Sequence, residues 1–481
     1  MEFREFIEQQ IVFLEKKYCT KHRLVHTGKY AYIIDLYEYV GRIDDAKKAV
    51  FDVLDSLFWD GNAWVFYPGN INMMNMSNNV IDSGAAIDCI SRFLMKYSEV
   101  FSEKELDQVH NEIDLCAQTY LKKAHLQKVI TNQRLWGNTG LASYSAYRGY
   151  DIKKPIANSI QKAFENTTAD GLFIYYPDAE ERGCPSSYTG PTTYYQSRHT
   201  AFIQYCMALC DIQSDSFQAS IERSVEALVG LYTKKGYKDL TFESKRWYWL
   251  GKSEVVSHPF DIFALYHSSH RLKNVIINNA IVQLKKNSNE KKYQPHDGFF
   301  QLDHQCRHFW SAHTAWLTRI PEIEQIWRNA KQIMSYEYEY AGVDVFHKVN
   351  KHHDIHIHKF WGEKNVSTGI LKNGIPKKFD TLYFAFKLLR PGKTQLFSIR
   401  ETVNHAWYAL RGGHLLECFY RLSWLSIGLI TSLLPIYRIS YGKVHDINKT
   451  KKSIEVSVTP ATKYGALYKS KVHVFIPITK V

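Results

Sequence analysis

The sequence predicts a mainly α-helical N-terminal domain over residues 1–335, built as an α/α toroid, complete or incomplete, and a smaller β-rich, sandwich-like domain over residues 336–481. Pairs of helical segments recur along the first part at spacings of roughly 50 to 60 residues, in the range of a helical-hairpin repeat. Near residue 335 the pattern changes to short alternating runs separated by glycine turns, which is typical of strands. A toroid gathers the starts of its inner helices around one cleft, where helix N-termini favour anions.

The helical repeat is justified element by element. An N-terminal helix is indicated by apolar residues on one face, followed by helices over 30–40 and 44–58 and a short strand over 63–67. Each repeat then joins an amphipathic helix, a glycine turn, an extended run, a polar loop and a second, more apolar helix. The turns stand at Asp60-Gly61, Asp170-Gly171, Lys235-Gly236 and Asp297-Gly298, and the second helices are expected to begin near Asn78, Asn138, Thr193, His258 and Phe309.

The C-terminal part is predicted to form strands over 354–360, 381–388, 394–399, 454–458 and 471–476. One uncharged run, from Leu422 to Tyr437, is shorter than the roughly 20 residues that span a bilayer. We expect a buried strand pair there; contact with a membrane surface is the less favoured alternative, suggested by the flanking Arg421 and Arg438.

Composition restricts the partner and the compartment. The chain has 61 Lys and Arg against 48 Asp and Glu, a net charge of +13, which favours an acidic partner. Because no block of basic residues or nucleic-acid module accompanies this charge, an acidic polysaccharide or oligosaccharide is expected rather than nucleic acid. The eight cysteines form no C-x-x-C pair, and the N-terminus lacks a signal-peptide pattern, so a reduced, cytoplasmic protein is expected.

Chemistry-bearing residues concentrate between Asp170 and Tyr205. A turn and a short strand lead through a polar loop into a helix in which Tyr195 and His199 stand four apart and share one face. Tyr194 and Arg198 share the neighbouring face. Phenol, imidazole and guanidinium groups near a helix start suit proton transfer on an anionic substrate, although aromatic helix starts also simply pack.

This unit, with Tyr194, Tyr195 and His199, the repeated helical pairs and the β-rich C-terminal part, resembles the heparinase II/III and alginate lyase group of polysaccharide lyases. The resemblance implies an α/α toroid followed by β-sandwiches, and cleavage of uronic-acid polysaccharides by β-elimination. Where many of these lyases carry an Asn-His pair, this chain has Asn132-Gln133 and Asn138-Thr139.

β-Elimination needs a group that neutralises the carboxylate, a base for the C5 proton and an acid for the leaving oxygen. Tyr195 and His199 are expected to act on one substrate, with Asn138 and either His258 or His313 holding the carboxylate. His258 and His313 are also alternatives to His199 as the second proton carrier. The candidates for substrate binding are Arg134, Trp136, Tyr194, Arg198, Arg246 and Trp249, although each Trp is as well explained as core.

Three other functions are compatible with the residues. A uronyl C5-epimerase shares the first proton abstraction, and a non-catalytic protein of surface-polysaccharide assembly shares only the binding. A toroid glycoside hydrolase needs two facing carboxylates, for which Asp170, Glu180, Glu181 and Asp297 are candidates, two of them better explained as turn residues.

No cofactor or metal is expected. The histidine-rich stretch from His347 to His358 places His356 and His358 on one face of a strand, which permits a metal site. We interpret it as an exposed polar strand.

Overall fold

The computed structural model describes residues 1–18, 27–66, 77–124, 130–177, 190–191, 193–234, 236, 238, 257–287, 310–350, 354–359, 370–372, 375–376, 407, 410, 419, 441–450, 453–461 and 472–477. The described part is mostly helical, with small antiparallel sheets. None of its helices is both long enough and apolar enough to cross a membrane. The predicted strands over 381–388 and 394–399 and the run over 422–437 lie outside the described residues.

Helices make up the first part of the chain, and a β1–β2 hairpin interrupts them. The order is α1 (Phe3–Tyr18), α2 (Thr27–Tyr30), α3 (Tyr32–Tyr39), α4 (Ile43–Leu54), β1 (Leu57–Trp59), β2 (Trp64–Phe66), α5 (Ser77–Tyr97), α6 (Glu103–Cys116), α7 (Lys122–Ala124), α8 (Thr131–Arg148), α9 (Lys153–Glu165), α10 (Thr193–Leu209), α11 (Asp215–Gly230), α12 (His258–Tyr266), α13 (Lys273–Asn287), α14 (Ala315–Thr318) and α15 (Ile323–Asn329). A short 3₁₀ turn, Ser98–Val100, and a π-helical turn, Ala117–Leu121, adjoin α6.

Strands follow the helices. One described sheet has the order β3 (Tyr338–Ala341), β4 (Val345–Val349), β5 (Asp354–His358), β6 (Ile370–Lys372) and β7 (Ile375–Pro376), and a second has β8 (Tyr441–Lys449), β9 (Ser453–Ala461) and β10 (Val472–Pro477). Neighbouring strands are antiparallel in both. Phe346, Ile355 and Ile357 of the first sheet form one apolar cluster with Val444, Ile454, Val456 and Val458 of the second.

The start of α8 differs from the prediction. The sequence predicts a helix that begins near Asn138, but α8 begins at Thr131 and Asn138 lies inside it. Gly137 and Gly140 lie where α8 crosses α5 at close range. A Cβ on Gly140 would stand 2.5 Å from the carbonyl oxygen of Gly84. Glycine is needed here for close packing rather than for a turn.

The end of the helical region packs on its beginning. The ring of Trp327 in α15 lies against Phe3 and Phe6 of α1, and its Nε1 donates to the carbonyl of Met1 at 3.2 Å. The Ser311 hydroxyl donates to Gln10 at 3.0 Å. These contacts join segments that are about three hundred residues apart in sequence. The last helices of the helical region therefore pack against its first helix.

A buried ionic network reinforces this contact. Arg319, which follows α14, donates to Asp35 of α3 at 2.7 Å and to Asp88 of α5 at 2.9 Å. The other Asp88 oxygen accepts from Tyr205 of α10 at 2.7 Å and from Ser143 of α8 at 2.5 Å. All three charged side chains are at most 2% exposed, so each depends on its partners for the hydrogen bonds that water would otherwise provide.

The first sheet docks on the helices through carboxylates. Asp170 accepts hydrogen bonds from the backbone nitrogens of Val343, at 2.8 Å, and Asp344, at 2.7 Å. Leu172 and Val345 contribute to an apolar cluster at the same place. Gly171 takes the positive φ expected of the predicted turn, 81°, but Asp170 has a second role in holding the turn between β3 and β4.

The Arg319→Met variant tests the network. Removing the guanidinium leaves Asp35 and Asp88 buried with their main counter-charge absent, so we expect the free energy of unfolding to fall by about 3–5 kcal/mol. Arg328→Met is the matched control because the Arg328–Glu2 pair also joins the two ends but is exposed, and we expect a loss of about 1 kcal/mol or less. Urea unfolding measures both; equal losses would contradict the assignment.

Candidate functional site

The start of α10 is fixed by Gln196. Its side-chain amide donates to the carbonyl of Gly171 at 3.0 Å and accepts from the backbone nitrogen of Phe173 at 2.9 Å. The same amide contacts the Ser224 hydroxyl of α11 at 3.2 Å. A fully buried side chain therefore ties the glycine turn, the extended run after it and two helices together, which sets the position of the residues around it.

Arg198 is the centre of the first cluster. Its guanidinium carbon lies 5.2 Å from the ring centroid of Tyr195, 5.3 Å from that of Phe260 and 5.8 Å from that of Trp136. Its Nη2 is 3.4 Å from Nδ1 of His313. Aromatic faces stabilise a desolvated cation, so the arginine can keep its charge in a dry environment.

His199 lies one step along α10 and is fully buried. Neither ring nitrogen has a hydrogen-bond partner among the described residues. The ring of Phe173 contacts the imidazole in a T-shaped arrangement, with ring centroids 4.7 Å apart. Burial, followed by the charges of Arg198 and Arg134, lowers the pKa of His199 to about 3. The imidazole is therefore neutral at pH 7 and lies in a region of positive potential.

Tyr195 and Arg134 are the least buried of the charged or titratable members of this cluster, at 8% and 7% exposed. The ring of Tyr195 stacks on Tyr175 at 5.1 Å and lies 6.4 Å from the ring of His199. Both residues are nevertheless buried. We call Arg134, Tyr195, Arg198, His199 and His313 the Arg198 cluster.

A second cluster surrounds the start of α12. Nζ of Lys238 lies 2.7 Å from Oδ1 of Asp261, whose Oδ2 is 3.1 Å from Nδ1 of His258. The Tyr232 hydroxyl donates to the same Oδ2 at 2.5 Å. All four side chains are buried. The helix begins at His258 with Pro259 in its first turn, as predicted, because proline suits that position.

The two clusters adjoin each other. Phe260 packs against His313, with ring centroids 4.8 Å apart, and under the guanidinium of Arg198. Nζ of Lys238 is 3.4 Å from the hydroxyl of Ser197, the residue before Arg198. Three of the five predicted catalytic residues, Tyr195, His199 and His313, therefore meet around Arg198, and His258 lies beside them.

The other predicted residues have different surroundings. Asn138 donates to the Ser159 hydroxyl of α9 at 2.8 Å. The indole nitrogen of Trp136 donates to the hydroxyl of Tyr32 at 2.9 Å, and the ring is buried among aromatic side chains, so the structure gives Trp136 a packing role. Arg246, Trp249 and the side chain of Tyr194 lie outside the described residues.

Sequence reasoning missed Gln196, Tyr232, Lys238 and Asp261. Only Asp261 carried a local signal, since it follows His258 by three positions on a helix and therefore shares its face. Lys238 and Tyr232 belong to the segment before that helix, and their proximity depends on the tertiary fold.

A third group of polar side chains lies where the first sheet meets α11. The expectation of an exposed polar strand is wrong: His347 of β4 and Asp354, His356 and His358 of β5 are buried, because the docking of the sheet covers them. Nε2 of His356 is 3.0 Å, and Nε2 of His347 3.9 Å, from the same Asp354 oxygen, and the backbone nitrogen of Lys234 donates to its other oxygen. His352 and His353 lie outside the described residues.

His347, Asp354 and His356 form a group that could hold a metal ion, with one ligand atom of each within 4.8 Å of the others. Neither nitrogen of His347 has a hydrogen-bond partner among the described residues. Two imidazoles and a carboxylate are a donor set that zinc takes, and two ligands of a tetrahedral zinc stand about 3.3 Å apart when the bonds are about 2.0–2.1 Å. The donor types therefore suit a zinc-like divalent ion, and the side chains would move closer together on binding it.

The chain matches no protein-family model, no curated protein and no solved structure. What the site can do follows from its residues. The Arg198 cluster offers a buried positive region for an anion with a phenol beside it. The second cluster, at the start of α12, offers an oriented imidazole, His258, next to it.

The pH dependence of stability tests the environment of His199. Its pKa is near 3 in the folded chain and near 6.5 in the unfolded chain, so the unfolded chain binds the extra proton between these values. The contribution of His199 to the free energy of unfolding is therefore complete above pH 6.5. It is lost as the pH falls between the two pKa values, by about 1.4 kcal/mol per pH unit.

When the pH is lowered from about 6 to about 5, we expect the free energy of unfolding to fall by roughly 1 kcal/mol less in the His199→Gln variant than in the wild type. Urea unfolding at both pH values measures this difference. Between about pH 8 and pH 7 the two proteins should respond alike. Parallel stability profiles throughout would mean that the imidazole is solvated.

Metal analysis tests the third group. We expect protein purified without chelator to hold about one zinc-like ion per chain and His347→Gln to hold far less, because three protein ligands are reduced to two. His110→Gln is the control, since His110 bonds to Tyr147 of α8 instead. Elemental mass spectrometry gives the metal content. Equal metal in wild type and His347→Gln, or none in either, would argue against the site.

Proposed function

We propose that this protein is a polysaccharide lyase that cleaves a uronic-acid-containing glycan by β-elimination. The observation that carries the proposal is the Arg198 cluster: a buried, neutral imidazole whose ring nitrogens lack partners among the described residues, two arginines that act on it, and a tyrosine at the edge. The resemblance of the Tyr194 to His199 unit to heparinase II/III-like and alginate lyases supports the same reaction class.

The two arginines of the cluster suit the carboxylate of a uronate. β-Elimination requires that this carboxylate be neutralised so that the C5 proton becomes acidic. Arg198 and Arg134 supply charge, and the N–H of His199 supplies a hydrogen bond. An anion bound there would raise the pKa of His199 from its depressed value by offsetting the two guanidinium charges. We therefore assign His199 to the carboxylate rather than to the base.

Tyr195 is the proton carrier of the cluster. Its hydroxyl belongs to a ring that stacks on Tyr175 and contacts the guanidinium of Arg198, so its orientation is held. A positioned phenol can protonate the leaving oxygen or remove the C5 proton. The net charge of +13 favours an acidic polymer as partner by the same electrostatic reasoning.

The finer fold assignment is part of the proposal. Contacts of Trp327 and Arg319 with α1, α3 and α5 support an α/α toroid in which the last helices meet the first. The apolar cluster shared by the two sheets supports a sandwich-like C-terminal domain. A glycoside hydrolase is less well supported because the Asp170 carboxylate is already bonded to Val343, Asp344 and Tyr340.

The test is a panel of polymers: alginate, polygalacturonate, hyaluronan and heparan sulfate. β-Elimination creates a C4–C5 double bond that absorbs in the near ultraviolet, so product formation is followed directly. We expect activity on at least one uronate polymer and a decrease of about 10²- to 10⁴-fold in Tyr195→Phe, because only the proton-carrying hydroxyl is removed.

Tyr147→Phe is the matched control. Tyr147 lies near the end of α8 and its hydroxyl contacts His110 at 2.6 Å, so removing it should leave the rate unchanged. Uptake of deuterium from solvent at C5 without an unsaturated product would instead identify an epimerase. Binding without either change would identify an assembly protein, and near-normal activity of Tyr195→Phe would make Tyr195 a packing residue.

A further inference from the structure

The cluster at the start of α12 is a linear chain of charged and polar groups. Lys238 contacts one oxygen of Asp261 at 2.7 Å, and the other oxygen lies 3.1 Å from Nδ1 of His258. All three side chains have no exposed surface. Lys238 also donates to the Ser257 hydroxyl at 2.7 Å, which fixes the ammonium group directly before the helix.

The charge state of Asp261 follows from its neighbours. Burial favours the neutral acid, but Lys238 and His258 hold the pKa of this carboxyl below its ordinary value, so it is a carboxylate at neutral pH. The Tyr232 hydroxyl donates to Oδ2 at 2.5 Å and is thereby committed to the carboxylate, although it is also 3.2 Å from Nδ1 of His258.

The carboxylate decides which nitrogen of His258 carries the proton. An unprotonated Nδ1 would place two lone pairs 3.1 Å apart, which is repulsive, whereas Nδ1–H donates to Oδ2. Burial, the largest influence, lowers the pKa of the imidazole, so the neutral ring with a single proton is favoured. Nε2 is then the nitrogen with a free lone pair.

Nε2 is where the chain of groups ends. It is buried and makes no well-aligned hydrogen bond with the described residues, although the backbone of Gly236 contacts the ring as an acceptor and acts to raise the pKa of His258. The Arg198 cluster is adjacent: Phe260 packs on His313, and the Ser197 hydroxyl is 3.4 Å from Nζ of Lys238.

We propose that Asp261, paired with Lys238, is a positioning residue that holds His258 with its proton on Nδ1, so that Nε2 is the base of the β-elimination. The substrate in this inference rests on the proposed function. Nε2 takes the proton from C5, and the C–H electron pair forms the C4–C5 double bond. The bond from C4 to the leaving oxygen breaks, and that oxygen receives a proton from Tyr195, which regains one from solvent after the product leaves.

The imidazolium formed in this step is stabilised by Asp261. Lys238 prevents the carboxyl from taking the proton itself, so the proton stays on His258 until it returns to solvent. In Ser-His-Asp triads, likewise, a buried carboxylate orients the catalytic histidine and stabilises its imidazolium form but does not become protonated.

Histidine-selective ¹⁵N NMR of the full chain tests the tautomer without any substrate. The His258 signals are assigned by their loss in His258→Gln or, should that variant fail to fold, by their shift in Tyr232→Phe. At about pH 7 we expect a protonated Nδ1 and an unprotonated Nε2. A ring protonated at Nε2 alone, bonded toward Gly236, or an imidazolium protonated at both nitrogens would overturn the inference.

Asp261→Asn tests the positioning role. The amide can donate to Nδ1 and so favours the opposite tautomer, as a carboxylate-to-amide change does in other oriented histidines. Tyr232→Phe keeps the carboxylate and should keep the tautomer. If Asp261→Asn does not fold, the wild-type spectrum and the spectrum of Tyr232→Phe still test the inference. A tautomer of His258 that changes in Tyr232→Phe would mean that the phenol, and not Asp261, orients the imidazole.

Activity separates this inference from the proposed function. On a polymer that the wild type cleaves, Asp261→Asn should lower kcat by about 10²- to 10⁴-fold with little change in KM. Absence of cleavage on every polymer would refute the lyase proposal but leave the tautomer result intact. Cleavage with an unchanged kcat in Asp261→Asn would refute the positioning role alone.

Discussion

The buried ion pairs of Arg319 are the constraint on which the helical region depends. One guanidinium joins the segment after α14 to α3 and α5, and Asp88 extends the network to α8 and α10 through Ser143 and Tyr205. Removing a partner from a buried charge costs about 3–5 kcal/mol, so packings of these helices that separate Arg319 from Asp35 and Asp88 are disfavoured.

The same network positions the candidate site. Tyr205 and Tyr195 belong to α10 and are separated by ten residues, or about 15 Å along the helix axis. One end of α10 is held by the Asp88 carboxylate and the other by the Gln196 amide, which bonds to Gly171, Phe173 and Ser224. A helix fixed at both ends can present Arg198 and His199 in a defined geometry, which proton-transfer chemistry requires.

Three buried imidazoles lie in the three groups of polar side chains described above. His199, His258 and His347 each have at least one ring nitrogen without a hydrogen-bond partner among the described residues. An unsatisfied buried polar group costs about 1–3 kcal/mol, so its presence requires an explanation such as a ligand, a proton or a metal ion. The three occupy different places. His199 lies beside two arginines, His258 beside a carboxylate that is paired with a lysine, and His347 beside a carboxylate and a second histidine.

The sequence by itself determined the local elements. Pro259 and a polar loop predicted the start of α12, and alternation predicted β5, β9 and β10, because these signals act within a few residues. The i, i+4 spacing of Tyr195 and His199 likewise placed both on one side of α10. Only the tertiary structure decided that Gly137 lies inside a helix, that Lys238 meets Asp261 and that His347 and His356 are buried. Close helix crossing, charge pairing and burial depend on which distant segment covers a residue, and local pattern carries no information about that partner.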